Sequence, residues 1–179
     1  PGGTLVVVDT NNGNNAFVRR KTRAVWELFE NGPPGKLHGH IVERPFIAKR
    51  RDIARKHFPH LSEAELDTLA RGTSGLWGND LLAALREYVE RGVVPQHFYQ
   101  GGSPIDPLNG VYIENLFDPL QLGRDMARHG LSASVHSYFG GARGGVLALA
   151  NRLLSARALA PLGLTLAKGF IISARKDRS

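Results

Sequence analysis

The chain has 179 residues, enough for one domain, and 42% of them are hydrophobic, so a globular core can form. It contains no cysteine, which excludes disulfides, thiolate metal sites and cysteine nucleophiles and fits a cytoplasmic location. Its net charge of +7 is compatible with an anionic partner, either a membrane surface or a nucleic acid. The densest basic clusters are Lys49–Arg51 with Arg55 and Lys56, and Arg19–Lys21 with Arg23. No ladder of base-stacking aromatic residues lies between them, so nucleic acid is not the expected partner.

The first segment predicts a turn, a strand and a polar loop. Pro1-Gly2-Gly3 leads into the apolar run Thr4–Val8, which ends in Asp9. A short apolar run bounded by turn residues favours a strand buried on both faces, as in a parallel sheet. Residues 10–15 form an asparagine-rich loop. Because the first residue is proline and not methionine, we expect the chain to be cut from a longer protein.

Four helices are predicted in the middle of the chain. Apolar residues recur at helical spacing in segments 16–31 and 79–91, and residues 45–58 predict a basic helix that Pro59 closes. Ser62, with Glu65 three residues on, has the pattern of a capping box for a further helix that ends near Gly72. Residues 93–110 are rich in glycine and proline and predict irregular structure.

Two histidines, His38 and His40, lie two positions apart in this region. On an extended segment both side chains would face the same way and could bind a metal or act as a base. No third ligand has suggestive spacing, so no metal site is predicted. A pair of surface-loop residues is the alternative interpretation.

The last part of the chain predicts a helix at 118–129, a strand at 131–139, a helix at 146–159 and a strand at 164–174. Asp118 suits the cap of the first of these helices, and Gly130 ends it. The following strand alternates between apolar and polar residues, as a half-buried strand does. The longest apolar region, 144–173, is interrupted by charged residues and a proline. It therefore predicts no membrane-spanning helix, although peripheral membrane contact stays open.

Three segments, taken in order, resemble class I S-adenosylmethionine-dependent methyltransferases. Pro1–Asp9 resembles the entry to the fifth strand of that family. Leu116–Phe139, with its Arg128-His129-Gly130-Leu131 junction, resembles the following helix and sixth strand. Phe170–Lys176 resembles the closing strand, which often ends in a basic residue. The resemblance covers positions 1–12 and 111–177.

The resemblance implies an α/β fold, the C-terminal half of a Rossmann-like methyltransferase sheet. In that sheet the last strand is antiparallel and lies between the fifth and sixth. Residues 1–179 would form a single partial methyltransferase domain, and 16–110 a helical insertion or lid over the substrate side. The implied cofactor is S-adenosylmethionine, and the implied acceptor is a small or lipid-like molecule.

The family's glycine-rich cofactor turn and its acidic ribose ligand have no match in this sequence. Gly140–Gly145 is rich in glycine, but it follows a strand late in the chain and lacks an acidic residue about 20 positions on. No cofactor-binding residue is therefore assigned. We expect this chain to be inactive alone and to contribute the acceptor side of the intact enzyme.

The candidate site follows the first strand, because ligands in open α/β sheets bind beyond the carboxyl ends of the strands. Asp9 is a candidate catalytic residue that could orient an acceptor hydroxyl or amine, and Thr10, Asn11 and Asn12 are candidate substrate ligands. The alternative is that Asp9 and Asn11 cap a turn and the next helix.

Four further residues complete the predicted site. His136 is the second catalytic candidate, and Tyr138 on the same face of its strand is a candidate substrate ligand; the alternative is that both face solvent or the insertion. Arg19 and Arg23 follow the asparagine-rich loop and could bind a phosphate or carboxylate of the acceptor. Their alternative role is a solvated helix face.

Two other functions stay open beside methyl transfer. One is a basic non-enzymatic module that binds an anionic membrane surface or nucleic acid, for which binding would weaken steeply with salt. The other is an α/β enzyme of another class, such as a reductase. The sequence predicts neither the acceptor molecule nor the oligomeric state.

Overall fold

A computed structural model of the chain describes residues 3–140, 145–154 and 159–176. The chain divides into two units. Unit 1 consists of Pro1–Arg20 and Leu116–Ser179, and unit 2 consists of Lys21–Asn115. In chain order the elements are β1 (Thr4–Asp9), α1 (Ala16–Glu30), β2 (Gly35–Leu37), β3 (His40–Val42), α2 (Phe46–His57), α3 (Glu63–Gly72), α4 (Gly78–Arg91), α5 (Pro119–Arg128), β4 (Leu131–Tyr138), α6 (Gly145–Leu154), α7 (Ala160–Leu166) and β5 (Gly169–Lys176).

Unit 1 is built around a three-stranded sheet in the order β1–β5–β4. The central strand β5 is antiparallel to both of its neighbours. The fold is therefore mixed α/β, as predicted.

Strand β1 differs from its prediction. Its side chains Leu5, Val6 and Val8 are exposed, and it pairs with β5 along one edge only. Among the described residues no strand pairs with its other edge. The predicted burial on both faces is wrong, because these side chains are exposed, and the described neighbour of β1 is antiparallel and not parallel.

The core of unit 1 lies on one face of the sheet. Phe170 and Ile172 of β5 are fully buried there with Leu164 of α7, and α5 packs Met126 against them. Strand β4 turns its apolar residues toward this core, so the predicted half-buried strand is confirmed. The approach of α7 to β4 requires a glycine. A Cβ at Gly163 would lie 2.6 Å from the hydroxyl oxygen of Ser137 in β4.

The last predicted helix and strand have different bounds in the structure. Helix α6 ends at Leu154, and residues 155–158, which the prediction included, lie outside the described residues. The predicted strand at 164–174 is wrong in its first part, because the helix that has Pro161 in its first turn continues to Leu166. Strand β5 begins only at Gly169 and runs to Lys176. An apolar run of this length suits a short buried helix as well as a strand.

Unit 2 contains the predicted helices of the middle segment. Helices α2, α3 and α4 share a core, whose fully buried members are Ala54, Leu66, Leu69, Leu81 and Leu85. The predicted capping box is confirmed: the Ser62 hydroxyl accepts from the Glu65 amide, and the Glu65 carboxylate accepts from the Ser62 amide.

A hairpin in unit 2 is absent from the sequence prediction. Strands β2 and β3 pair antiparallel, and the two residues between them, His38 and Gly39, have φ angles of 50° and 91°. Positive φ at both central positions is the geometry of a tight hairpin turn. The chain therefore reverses between His38 and His40, so the interpretation in which both face one way on an extended segment does not apply. The loop interpretation fits His38, which lies in the turn. The His40 ring instead packs edge-on against Phe29, with 6.0 Å between the ring centroids.

The predicted basic cluster of unit 2 is compensated by acidic partners. Arg50 pairs with Glu30, and both side chains are only 1% exposed. Arg51 and Arg55 both pair with Glu63. Unit 2 contains twelve Lys and Arg residues and twelve Asp and Glu residues. Unit 1 contains eleven Lys and Arg residues and four Asp and Glu residues. The net charge of +7 therefore belongs to unit 1.

Candidate functional site

The loop after β1 holds the first group of predicted site residues. The Asp9 carboxylate accepts a hydrogen bond of 2.6 Å from the Asn11 amide, which closes a turn. The Asn11 carbonyl accepts from the Phe117 amide at 2.9 Å, and the Phe117 carbonyl accepts from the Gly13 amide at 2.7 Å. Thr10 is exposed at the tip of this turn. The loop is thus tied to the segment that leads into α5.

Two asparagines of the loop bind the carboxyl end of α7. The buried Asn12 side-chain amide donates to the carbonyls of Leu164 and Ala167, at 2.7 and 2.8 Å. The Asn15 side-chain amide donates to the two carbonyls that lie between these in the chain, those of Thr165 and Leu166. The last carbonyls of a helix lack partners within the helix, and these amides satisfy them.

The remaining acceptor atoms of both asparagines are also engaged. The Asn12 side-chain oxygen accepts from the Asn14 amide, and the Asn15 side-chain oxygen accepts from Val18 at the start of α1. Asn12 is therefore a positioning residue that does not reach an acceptor molecule. Its predicted role as a substrate ligand does not fit this geometry.

The ends of the three strands meet at Gly169. In the sheet, Asp9 lies opposite Phe170, and Tyr138 lies opposite Gly169. A Cβ at Gly169 would lie 2.8 Å from the Asp9 carbonyl oxygen and 3.2 Å from the Tyr138 ring. The structure therefore brings Asp9, Thr10 and Tyr138 to one edge of the sheet.

The two catalytic candidates lie on opposite faces of that sheet. His136 and Val8 are both paired with Ile171, so their side chains share a face. Asp9 follows Val8 directly and projects to the other face. The His136 Nε2 lies 3.2 Å from the Ser134 hydroxyl oxygen on the face that α5 and α7 leave uncovered. Asp9 and His136 therefore cannot act as one acid–base pair.

The two predicted arginines lie on α1, one helical turn apart. Arg19 is exposed, and its guanidinium donates to the Gly13 carbonyl at 2.9 Å, which places it beside the loop of the site. Arg23 is also exposed but belongs to unit 2. Arg19 is the member of the pair that the structure joins to the loop.

A separate cavity of about 380 Å³ lies in unit 2 and contains none of the predicted site residues. Phe29, Phe46 and Ile113 contribute apolar wall, and Lys49 and Asp106 form an ion pair of 2.9 Å at its side. The Lys49 ammonium also lies 5.0 Å from the centroid of the Phe46 ring. Glu43 and Arg44 also line the cavity, so its wall combines charged and apolar side chains in similar measure.

A partly buried tyrosine of unit 2 is held in its neutral form. Burial, together with the negative charges of Glu27 and Glu30, raises the pKa of Tyr99 to about 12, against the opposing effect of Arg23. At neutral pH this hydroxyl therefore stays protonated and is not a base.

Sequence reasoning missed two residues that shape the site. Asn15 caps α1 and α7 together, and its only signal was an asparagine just before a predicted helix. Gly169 permits the close approach of the Tyr138 ring, and the segment around it had been assigned to the middle of a strand. The role of Asn15 depends on contacts with residues more than 100 positions away in the chain. The role of Gly169 depends on where the last strand begins.

Comparisons with protein-family models, curated proteins and solved structures find no match to the chain. Within the described residues, no group of three or more His, Cys, Asp or Glu side chains is placed to hold a metal ion. None of the helices in the described ranges combines the length and apolarity that a membrane crossing needs.

Proposed function

We propose that this chain forms the acceptor side of an S-adenosylmethionine-dependent methyltransferase. The observation that carries the proposal is the sheet order β1–β5–β4, with β5 antiparallel to both neighbours. The unpaired edge of β1 and its exposed apolar residues support the further proposal that another strand of the same sheet pairs there.

The described residues do not fit the cofactor itself. At the end of β1, the Asp9 carboxylate accepts from its own turn, and the Asn12 amide is buried under α7. The loop after β1 is not a glycine-rich turn, and the glycine-rich segment after β4, Gly140–Gly145, lies mostly outside the described residues. We therefore assign the main cofactor contacts to the part of the sheet beyond β1 and assign no reaction step to the cofactor here.

The residues of this chain suit the positioning of an acceptor. Thr10 and Tyr138 present hydroxyl groups at the edge where the strands end, and Arg19 adds a positive charge beside the same loop. Methyl transfer requires an aligned nucleophile and, for some oxygen or nitrogen acceptors, a base. His136 is the second candidate base, and its Nε2 lies 3.2 Å from the Ser134 hydroxyl oxygen.

The assignment of the cofactor contacts to the part of the sheet beyond β1 is tested first, by calorimetric titration with S-adenosylhomocysteine. We expect no micromolar binding by residues 1–179 and micromolar binding by the product of the complete reading frame. Micromolar binding by residues 1–179 would contradict the assignment of the cofactor contacts. Absence of binding by the complete product would overturn the methyltransferase proposal.

The role of His136 is tested by transfer of a labelled methyl group in the complete product, with soluble extracts and lipid extracts as acceptors. His136→Ala is expected to lower kcat by about 100-fold, the usual contribution of a general base. His129→Ala, which alters an exposed histidine at the end of α5, is the matched control and is expected to leave kcat unchanged. Equal rates for the two variants would remove His136 from the mechanism.

A further inference from the structure

Helices α6 and α7 present apolar side chains to solvent. On α6 these are Val146, Leu149 and Leu153, and at α7 they are Leu159, Leu162 and Leu166, each between 42% and 82% exposed. Both sets have the spacing i, i+3 and i+7, so each helix carries one continuous apolar stripe. We call these six residues the leucine face.

The leucine face is not part of the core of unit 1. Helix α7 already packs its other side, with Ala160, Gly163 and Leu164 buried. The apolar ring of Phe17, at the start of α1, is also exposed, and the Lys168 ammonium lies 5.6 Å from its centroid. Grouped apolar surface of this kind marks an interaction site when it is larger than the scattered residues of an ordinary surface.

The stretch of sequence that contains the leucine face carries charges of a single sign. From position 126 to position 176 the sequence contains seven Lys and Arg and no Asp or Glu. Arg152, next to Leu153 in the sequence, and Lys168, two positions after Leu166, are exposed. The excess of +7 in unit 1, set against a neutral unit 2, therefore accompanies the apolar surface.

We infer that the leucine face binds the surface of an anionic lipid bilayer. An apolar helix stripe flanked by lysine and arginine is the pattern of helices that lie in the plane of the membrane interface. Helices of ten and seven residues are too short to cross a bilayer, so they lie along its surface. A nucleic acid would use the positive charge but would gain little from valine and leucine side chains, because bases stack on aromatic residues.

The test is sedimentation of residues 1–179 with lipid vesicles. One set contains phosphatidylcholine alone, and the other contains phosphatidylserine as about one lipid in three. We expect binding to the second set, and weaker binding to the first. The measurement needs neither cofactor nor methyl acceptor, so its outcome is separate from that of the methyltransferase proposal.

The apolar contribution is tested with Leu162→Glu and Leu166→Glu, each of which is expected to weaken vesicle binding by about tenfold or more. Val146→Glu provides a second site on α6 if a change in α7 disturbs folding, which circular dichroism reports. Ile41→Glu is the matched control, because Ile41 is 65% exposed in unit 2, and its vesicle binding is expected to equal that of the unaltered chain.

The charge contribution is tested with Arg152→Gln and Lys168→Gln, each expected to weaken binding by about fivefold. Lys56→Gln and Arg86→Gln, exposed in unit 2, remove the same charge and are expected to have little effect. No binding to either vesicle set at low salt would overturn the inference. The inference would also be overturned if the leucine variants bound vesicles as well as the unaltered chain does and the chain bound duplex DNA equally well. That result would show a general site for polyanions.

Discussion

Removal of the Glu30 carboxylate leaves the Arg50 guanidinium buried without a counter-ion. In the structure the Arg50 Nη2 donates to the Glu30 carboxylate at 2.5 Å, and its Nε donates to the Ala70 carbonyl at 2.8 Å. The Ser74 hydroxyl donates to the same carboxylate at 2.8 Å. These contacts join the ends of α1 and α3 to α2. Glu30→Gln keeps the shape of the side chain and removes only its charge.

The expected cost is large, because an uncompensated charge is then held out of water. Loss of one partner of a buried pair destabilises a protein by about 3–5 kcal/mol. Small domains have a total stability of about 5–15 kcal/mol. With a urea dependence of about 1–3 kcal/mol per molar, the unfolding midpoint of unit 2 should fall by about 2 M.

Tryptophan fluorescence is the appropriate assay, because both tryptophans, Trp26 and Trp77, lie in unit 2. A urea titration followed by tryptophan fluorescence reports the unfolding of unit 2, whereas circular dichroism reports the unfolding of both units. Glu30→Gln combined with Arg50→Met should be more stable than Glu30→Gln alone, because the second change removes the unpaired charge.

The matched control is Glu87→Gln, which breaks an exposed pair with Arg91 in the same unit. Exposed pairs contribute about 0–1 kcal/mol, so its midpoint should hardly move. Equal shifts for Glu30→Gln and Glu87→Gln would refute the reasoning. So would a double variant whose loss is the sum of the two single losses.

Three further substitutions test other contacts. Asn12→Ala should destabilise unit 1 by about 1–3 kcal/mol in circular dichroism, since buried carbonyls of α7 lose their donors; an unchanged midpoint would contradict this. Hydrogen bonds from Ser62 lower the pKa of Glu65 from its ordinary value of 4.5, so this carboxylate stabilises the fold above that pH and less as the pH falls. Glu65→Gln should therefore flatten the acid limb of the melting-temperature profile, and an identical profile would count against it. Gly72→Ala should cost about 1–3 kcal/mol, because the added methyl group collides with the Pro95 carbonyl, whereas Gly102→Ala, in open space, should be nearly neutral.

Elements with local signals were predictable from the sequence. Helix α3 has both partners of its capping box, Ser62 and Glu65, within its first turn. Helix α5 likewise has Asp118 at its cap, where the side chain accepts from two backbone amides, and Pro119 at its first position. In each case the residues that fix the boundary lie within three positions of it.

Elements that depend on distant contacts were not predictable in the same way. The carboxyl end of α7 is held by Asn12 and Asn15, which lie about 150 positions earlier in the chain. Because these contacts are not known from the sequence, the apolar run that begins at Leu164 predicts a strand as readily as a helix. The β2–β3 hairpin turns on His38 at positive φ, a conformation that a histidine rarely adopts.

The candidate site shows the same limit. The residues at the end of β1 were found because polar residues follow an apolar run. The hydrogen bonds of these residues show which of them hold the loop in place, and the strand pairings show which side chains share a face of the sheet. Register places Asp9 and His136 on opposite faces, and register becomes known only when the partner strand is known.

The central position of β5 has a consequence for the order of folding. Both strand pairings of the unit 1 sheet use β5, so neither can form during synthesis until this strand has left the ribosome. Unit 2 is continuous in sequence, and its buried pairs join residues that have all been made by then. During that interval the edge of β1 that later pairs with β5 stays open, which exposes this strand to mispairing with another chain.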